Sequence, residues 1–301
     1  MNRRTFIYNV SGLALSVTVL PSFVPFYKDK MDRIAMGTLL FRYRFKRTKP
    51  RELAAIKNEL TLLDVPMHHR DKFGIKKIEF WNEHFESLDP TYLESVKKAI
   101  KAAKSELLNV QIDRIQYNLA SQNEEERLKS IKDVKEWIDG VAILGSKCIR
   151  INPGRPNGTV EKSIQSLKEL KSYADQKKLT IITANHFGIE TDPVKHVAIM
   201  NGVGKGIYTE PDFGNYSSPS VILPSLEQIL PYAHIVSAKV VDFNDQIEHV
   251  TYDFDKCVQL CESKGFKGVY MVSQWSSKFN DIDYDKVADW VITHLKDNMK
   301  S

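Results

Sequence analysis

The chain has 301 residues, 42% of them hydrophobic, and a formal net charge of +5. That is enough apolar material for a substantial core, in one large α/β domain or two smaller ones, and nothing in it suggests a disordered chain. Two of the positive charges are Arg3 and Arg4, and no Lys/Arg block stands out further on. The electrostatic footprint of a nucleic-acid binder is therefore weak, and no nucleic-acid partner is expected.

At the N-terminus, Asn2-Arg3-Arg4-Thr5-Phe6-Ile7 precedes a short apolar run from Val10 to Leu20, which Pro21 ends. Two cations before such a run read as an export signal over residues 1–25, and the paired arginines resemble the twin-arginine type. The run is too short and too rich in Ser and Thr for a transmembrane helix, so no membrane span is expected beyond the signal. The mature protein is expected in the periplasm, as a single domain over residues 33–301.

Three segments then repeat one local pattern: Gly74-Ile75-Lys76-Lys77-Ile78-Glu79-Phe80, Gly145-Ser146-Lys147-Cys148-Ile149-Arg150-Ile151 and Gly265-Phe266-Lys267-Gly268-Val269-Tyr270-Met271. In each, a helical segment stops at a Gly suited to the left-handed position after a helix, and a short apolar strand follows. At ~30 to 40 residues per strand–helix unit, the Gly spacings correspond to two and four units, so the pattern marks even strands of an eight-unit cycle. The remaining strands are expected at Ile34 to Leu40, Leu107 to Ile112, Leu179 to Thr183, Gly206 to Glu210 and His234 to Lys239.

Helical segments lie between them. One runs from Asp89 to Lys104, with Pro90 suited to a first turn; another runs from Asn123 to Leu144, with Asn123 as cap and Glu126 at the capping-box position. Alternating strands and helices predict a parallel sheet, and eight of each predict an α/β (β/α)8 TIM barrel. An open dinucleotide-binding sheet is disfavoured because no Gly-x-Gly-x-x-Gly turn joins a strand to a helix; Asn201-Gly202-Val203-Gly204-Lys205-Gly206 precedes a strand instead. Cys148, Cys257 and Cys261 are too few for a disulfide framework, and Cys257 and Cys261, four apart on a predicted helix, read as core residues.

In such a barrel the C-terminal ends of the strands converge on one face, which carries the chemistry. The second strand brings Glu79, Trp81 and His84 there, the fourth Arg150 and Asn152, the fifth Asn185 and His186. The sixth brings Asp212 and Asn215, the seventh Lys239, and the eighth Gln274 and Trp275. From Leu179 to Ser276, Asp212 is the one acidic residue read at a strand end. Indole faces cover the C–H side of a sugar ring while amides and charges bond its hydroxyls, so this set suits a small-molecule carbohydrate. His68, His69 and His294 fall within helices and read as structural or solvated. Lys239 is expected to face solvent at the mouth.

Several stretches resemble the xylose-isomerase-like family of sugar isomerases and epimerases. Leu62 to Phe85, with Asp64, Gly74, Glu79 and His84, is similar to its first helix and second strand, and Ala142 to Gly154 to its Leu-Gly-x-x-x-Ile-Arg-Ile-Asn segment. Asn185-His186-x-Gly188 resembles the tail of its Glu-Asn-His-x-Gly motif, and Asp212-Phe213-Gly214-Asn215 its sixth-strand motif. The family usually holds a divalent metal with Glu, Asp, His and Glu at the ends of strands five to eight. Here Ala184, Asp212, Ser237 and Gln274 stand at those points. One carboxylate cannot supply the anionic oxygens a hard cation needs, so neither a metal nor any other cofactor is expected.

The resemblance implies an exported carbohydrate-active protein that acts next to a sugar carbonyl, by isomerisation, epimerisation or elimination. Catalytic roles would fall to Lys239 as the cation near a developing oxyanion and to His186 or Asp212 as proton carrier. Glu79, Trp81, His84, Arg150, Asn152, Asn185, Asn215, Gln274 and Trp275 would bind the substrate. The alternative is an inactive barrel that binds a sugar or a protein partner through the same mouth. Apurinic-site endonucleases with this type of barrel use three metals and many His and Glu ligands, which this chain lacks.

Overall fold

The computed structural model describes residues 27, 29–114, 116–276 and 282–300, so the expected export signal lies outside the described residues. Strands β1 (Ile34–Gly37), β2 (Lys77–Trp81), β3 (Glu106–Ile112), β4 (Cys148–Ile151), β5 (Thr180–Thr183), β6 (Ile207–Thr209), β7 (Ile235–Val240) and β8 (Val269–Gln274) alternate with helices. These are α1 (Val65–Phe73), α2 (Pro90–Ala102), α3 (Glu124–Leu144), α4 (Val160–Gln176), α5 (Pro193–Val203), α6 (Pro219–Ile229), α7 (Phe254–Ser263) and α8 (Tyr284–Asn298).

Every strand pair is parallel, in the order β6-β5-β4-β3-β2-β1-β8-β7. The sheet curls until β6 meets β7, where the isolated bridges Thr209–Ala233 and Asp212–Ser237 span the seam. Pro211 has no N–H to extend that ladder, but its carbonyl accepts the Ser237 N–H at 2.8 Å. Asp212 is thereby fixed beside β7.

Local chemistry sets the element boundaries. Asp89, Asn123, Thr159, Asp192, Asp253 and Asp283 each accept an otherwise unpaired N–H in the first turn of α2, α3, α4, α5, α7 and α8. The three repeated Gly residues take φ of 69°, 77° and 82° and release the chain into β2, β4 and β8. Glu126 does not close a capping box: its side chain instead accepts from Ser121 Oγ and from Arg155.

One strand is shorter than expected. β1 stops at Gly37, and Thr38–Arg44 coils as a 3-10 helix across the barrel mouth. Thr38 Oγ1 accepts the Trp81 N–H at 2.9 Å, which ties this segment over β2.

Side chains alternate across the sheet with period two. The residues of β7 facing the helices, Val236, Ala238 and Val240, join the large core between sheet and helices. Ala35, Cys148, Ile182, Ile235, Val269 and Met271 form a second, smaller apolar cluster. Nearer the C-terminal ends of the strands the interior turns polar, with Glu79, Asn109, Arg150, Glu210, Ser237 and Lys239 all buried. A buried charged layer needs internal partners, and the barrel supplies them. Among the described residues no helix is long and apolar enough to cross a membrane.

Candidate functional site

Three groups of side chains meet at the mouth. The first surrounds Lys239, which is only 4% exposed and not solvent-facing as expected. Register places Lys239 beside Ser273 and two residues beyond Ser237, on the interior side of β7. Its ammonium donates to Asn215 Oδ1 and lies 3.5 Å from Asp212 Oδ2, which also accepts from Ser237 Oγ at 3.0 Å. Asn185 grips the backbone of Asp212 from both sides, accepting its N–H at 2.8 Å and donating to its carbonyl at 3.0 Å. Burial lowers the Lys239 pKa and Asp212 opposes that shift. Lys239, Asp212, Asn215 and Asn185 are therefore one hydrogen-bonded unit.

The second group is a carboxylate cluster around Arg150. Its Nη2 donates to both oxygens of Asp113 at 2.7 Å, and its Nη1 lies 3.9 Å from Glu210. Burial opposes the guanidinium charge, but Asp113, Glu210 and Glu79 hold its pKa above the ordinary value. Burial would likewise raise Asp113, yet Arg150 and His186 bring it well below the usual range.

Glu79 and Glu210 share the Asn109 amide, which donates to them at 2.6 and 3.3 Å. Burial raises both carboxyls, and each is raised further by other carboxylates nearby. Three buried carboxyls, Glu79, Glu210 and Asp212, and the largely enclosed carboxyl of Asp113 face two buried cations, Arg150 and Lys239. Glu79 and Glu210 therefore hold protons to higher pH than free glutamates do.

His186 joins this cluster to open space. Its Nδ1 lies 3.1 Å from Asn152 Nδ2 and 3.7 Å from Asp113. Asn152 also donates to Asp113 at 3.0 Å. With Nδ1 accepting from the amide, the proton of the neutral imidazole is assigned to Nε2. Burial lowers the His186 pKa, and the ring is neutral at pH 7. His186, Asn152 and Asp113 line a cavity of about 610 Å³ over β3, β4 and β5, together with loop residues such as Tyr117, Pro156 and Phe187. Lys239 and Asp212 are not among its lining residues.

The third group lies on the other side of the mouth. Trp81 and Trp275 meet edge to face with centroids 6.1 Å apart, and Arg42 lies 4.4 Å from the Trp275 ring centre. Arg42 donates to Gln274 Oε1 at 2.7 Å, while Gln274 Nε2 donates to the Val241 carbonyl at 2.8 Å. His84 stacks on Phe45 at 3.6 Å, and its two ring nitrogens bond Thr38 and Thr48. Burial and the charges of Arg42 and Arg47 bring its pKa down to about 3. Its ring is thus committed to fastening the segment after β1.

These contacts decide how well a divalent ion would fit. Asp212 already holds Lys239 and Ser237, Ala184 and Ser237 offer no anion, and Gln274 is spent on Arg42 and Val241. Among the described residues no group of three His, Cys, Asp or Glu side chains is placed to hold a metal. The residues at the four strand ends do not fit a hard divalent cation. The cation that Asp212 faces is the Lys239 ammonium. Cys257 and Cys261 are buried free thiols on α7, in keeping with a core role.

Asp113, Asn109, Glu210, Arg42 and Glu190 belong to the site although none is among the residues expected there. Asp113 directly follows β3 and so satisfied the strand-end rule. Glu210 lies two residues before Asp212 and corrects the count of a single acid at these ends. Glu190 lies in a short 3-10 turn, and its Oε1 accepts the N–H of His186 and of Gly188, each at 3.2 Å, clamping the loop after β5.

Burial pushes the Glu190 pKa up to about 8, against the hydrogen bonds it accepts. A carboxyl raised in the folded state gives its full stabilising contribution below its unfolded value near 4.5 and loses it as pH rises through about 8. Glu190→Gln is therefore expected to match the parent at about pH 4 and exceed it at pH 8 by about 4 kcal/mol in urea unfolding. Equal differences at both pH values would refute the clamp's protonation.

Fold and strand-end site together define a TIM barrel of the sugar isomerase and epimerase type. The profile of the xylose isomerase-like TIM barrel family matches residues 71–297, and the chain belongs to that family. No curated protein matches it by sequence. Among solved structures, D-psicose 3-epimerase with D-tagatose from Clostridium cellulolyticum H10 aligns with a TM-score of 0.66 at 11% identity, covering 89% of this chain and 100% of that one. The 3-keto-D-glucoside 4-epimerase from E. coli aligns at 0.60 and 14%, covering 87% and 99%. A xylose isomerase-like barrel from Mycobacterium smegmatis in complex with magnesium aligns at 0.61 and 13%, covering 89% and 98%. At these identities the likeness is one of fold.

Proposed function

We propose that this protein is a carbohydrate-active enzyme working next to a sugar carbonyl, with the Lys239 ammonium in place of the family's divalent ion. The observation that carries this is the pairing of Asp212 with buried Lys239 in a site that cannot assemble a metal's ligands. A sugar would enter by the cavity at His186, its reacting end directed toward Lys239. Asp212 would take the proton from the carbon next to the carbonyl, the electron pair moving onto the carbonyl oxygen. Lys239 and the Nε2–H of His186 would donate to that oxyanion; the proton of the neighbouring hydroxyl would pass to it while Asp212 returns its own proton to the former carbonyl carbon, which completes an isomerisation, whereas an epimerisation would need a second acid on the opposite face.

Similarity to a psicose epimerase and a ketoglucoside epimerase supports the substrate class. The test is incubation with a panel of keto- and aldo-sugars with and without a chelator. Conversion of one sugar, unaffected by chelation, is expected; conversion that needs added metal, or no sugar-dependent signal at all, overturns the proposal. A second reading, a silent sugar-binding barrel, is favoured by the deep burial of Lys239 and Asp212. It would give calorimetric binding without conversion.

Export completes the proposal. Arg3 and Arg4 precede the apolar run, and changing both to Lys is expected to strand the protein in the cytoplasm, because the twin-arginine pathway reads the pair itself and not its charge alone. Cell fractionation that finds the parent protein wholly cytoplasmic would end this part of the account.

A further inference from the structure

Resting on the carbohydrate reading above, we infer that the site also takes sugars carrying a planar apolar group, an aglycone in the simplest case, which lies against Phe187. The cavity of about 610 Å³ falls within the ~300 to ~1,000 Å³ range that encloses drug-sized ligands, leaving room beyond one sugar ring. Its composition is divided by position. Next to the strand ends, Asp113, Asn152 and His186 offer hydrogen bonds beside Ile112 and Ile151; from the loops, Tyr117, Pro156 and Phe187 offer apolar surface alongside the cations Arg114 and Arg155. A sugar suits the first set and an aryl or similarly flat group the second.

Phe187 is held in place for such a contact. It is 62% exposed and sits at φ 58°, a left-handed conformation costly for a bulky residue. Its neighbours enforce this. A Cβ at Gly188 would fall 2.0 Å from the Gly154 carbonyl, which also accepts the Ile189 N–H at 3.1 Å, so the loop is seated on the segment that follows β4. Glu190 ties down the N–H groups on either side of Phe187. An exposed aromatic kept in an unfavourable conformation by two independent restraints, at the edge of a cavity, is placed to meet a ligand.

The experiment is calorimetric titration of the full chain with matched methyl and para-nitrophenyl glycosides of glucose, galactose, mannose and xylose. For the sugar that binds, the aryl glycoside is expected to bind about tenfold more tightly than the methyl glycoside, the scale of a good aromatic contact. Phe187→Asn, which tolerates the left-handed conformation, is expected to abolish that preference. Equal affinities within the pair, or a preference that survives Phe187→Asn, overturn the aglycone assignment and leave the carbohydrate reading standing. Binding of no glycoside and no free sugar overturns both.

Discussion

Replacing Arg150 with Met is expected to lower folding stability by about 3 to 5 kcal/mol, the usual cost of removing one partner from a buried ion pair. Arg150 is fully enclosed and holds Asp113 through two hydrogen bonds while facing Glu210 and Glu79. Met fills similar space but leaves Asp113 ionised without a counter-charge. The deficit should shrink on acidification as the carboxyls take up protons, and Asp113→Asn in the same chain should recover part of it. Urea unfolding of the single and double variants measures both effects. A loss below about 1 kcal/mol would mean that water, and not Arg150, balances the cluster.

Lys239→Met is expected to abolish turnover and also to cost about 3 kcal/mol, because Asp212 loses the cation beside it in a buried site. A lysine at an open mouth would have left the melting temperature nearly unchanged. The two consequences separate in the double variant with Asp212→Asn, which should regain much of the stability while remaining inactive. Retained conversion by the destabilised single variant would assign Lys239 a purely structural role.

The fold was legible because its signals are local. The Gly-to-strand pattern found β2, β4 and β8, and the first-turn Pro90 and the cap Asn123 fixed helix starts within a residue. Strand-end position also selected Asp212, Asn215, Asn185 and Lys239, which do associate. Burial of Lys239 was not legible, since it depends on Asp212 reaching across the β6–β7 seam. Glu210 was read as the last residue of a strand, and the Pro211 that follows it hid its period-two relation to Asp212. Arg42 was out of reach for another reason: β1 was expected to continue to Leu40, whereas the chain folds back after Gly37 and brings Arg42 to Gln274 through a contact no periodicity encodes.

That Lys239 takes the place of the metal is tested most directly by elemental analysis of the purified full chain and its Asp212→Ala variant. No stoichiometric Mn, Zn, Mg or Fe is expected in either protein. About one tightly held ion per chain in the parent, lost in Asp212→Ala, would show that the sixth-strand carboxylate still anchors a divalent cation and would contradict the role given to Lys239.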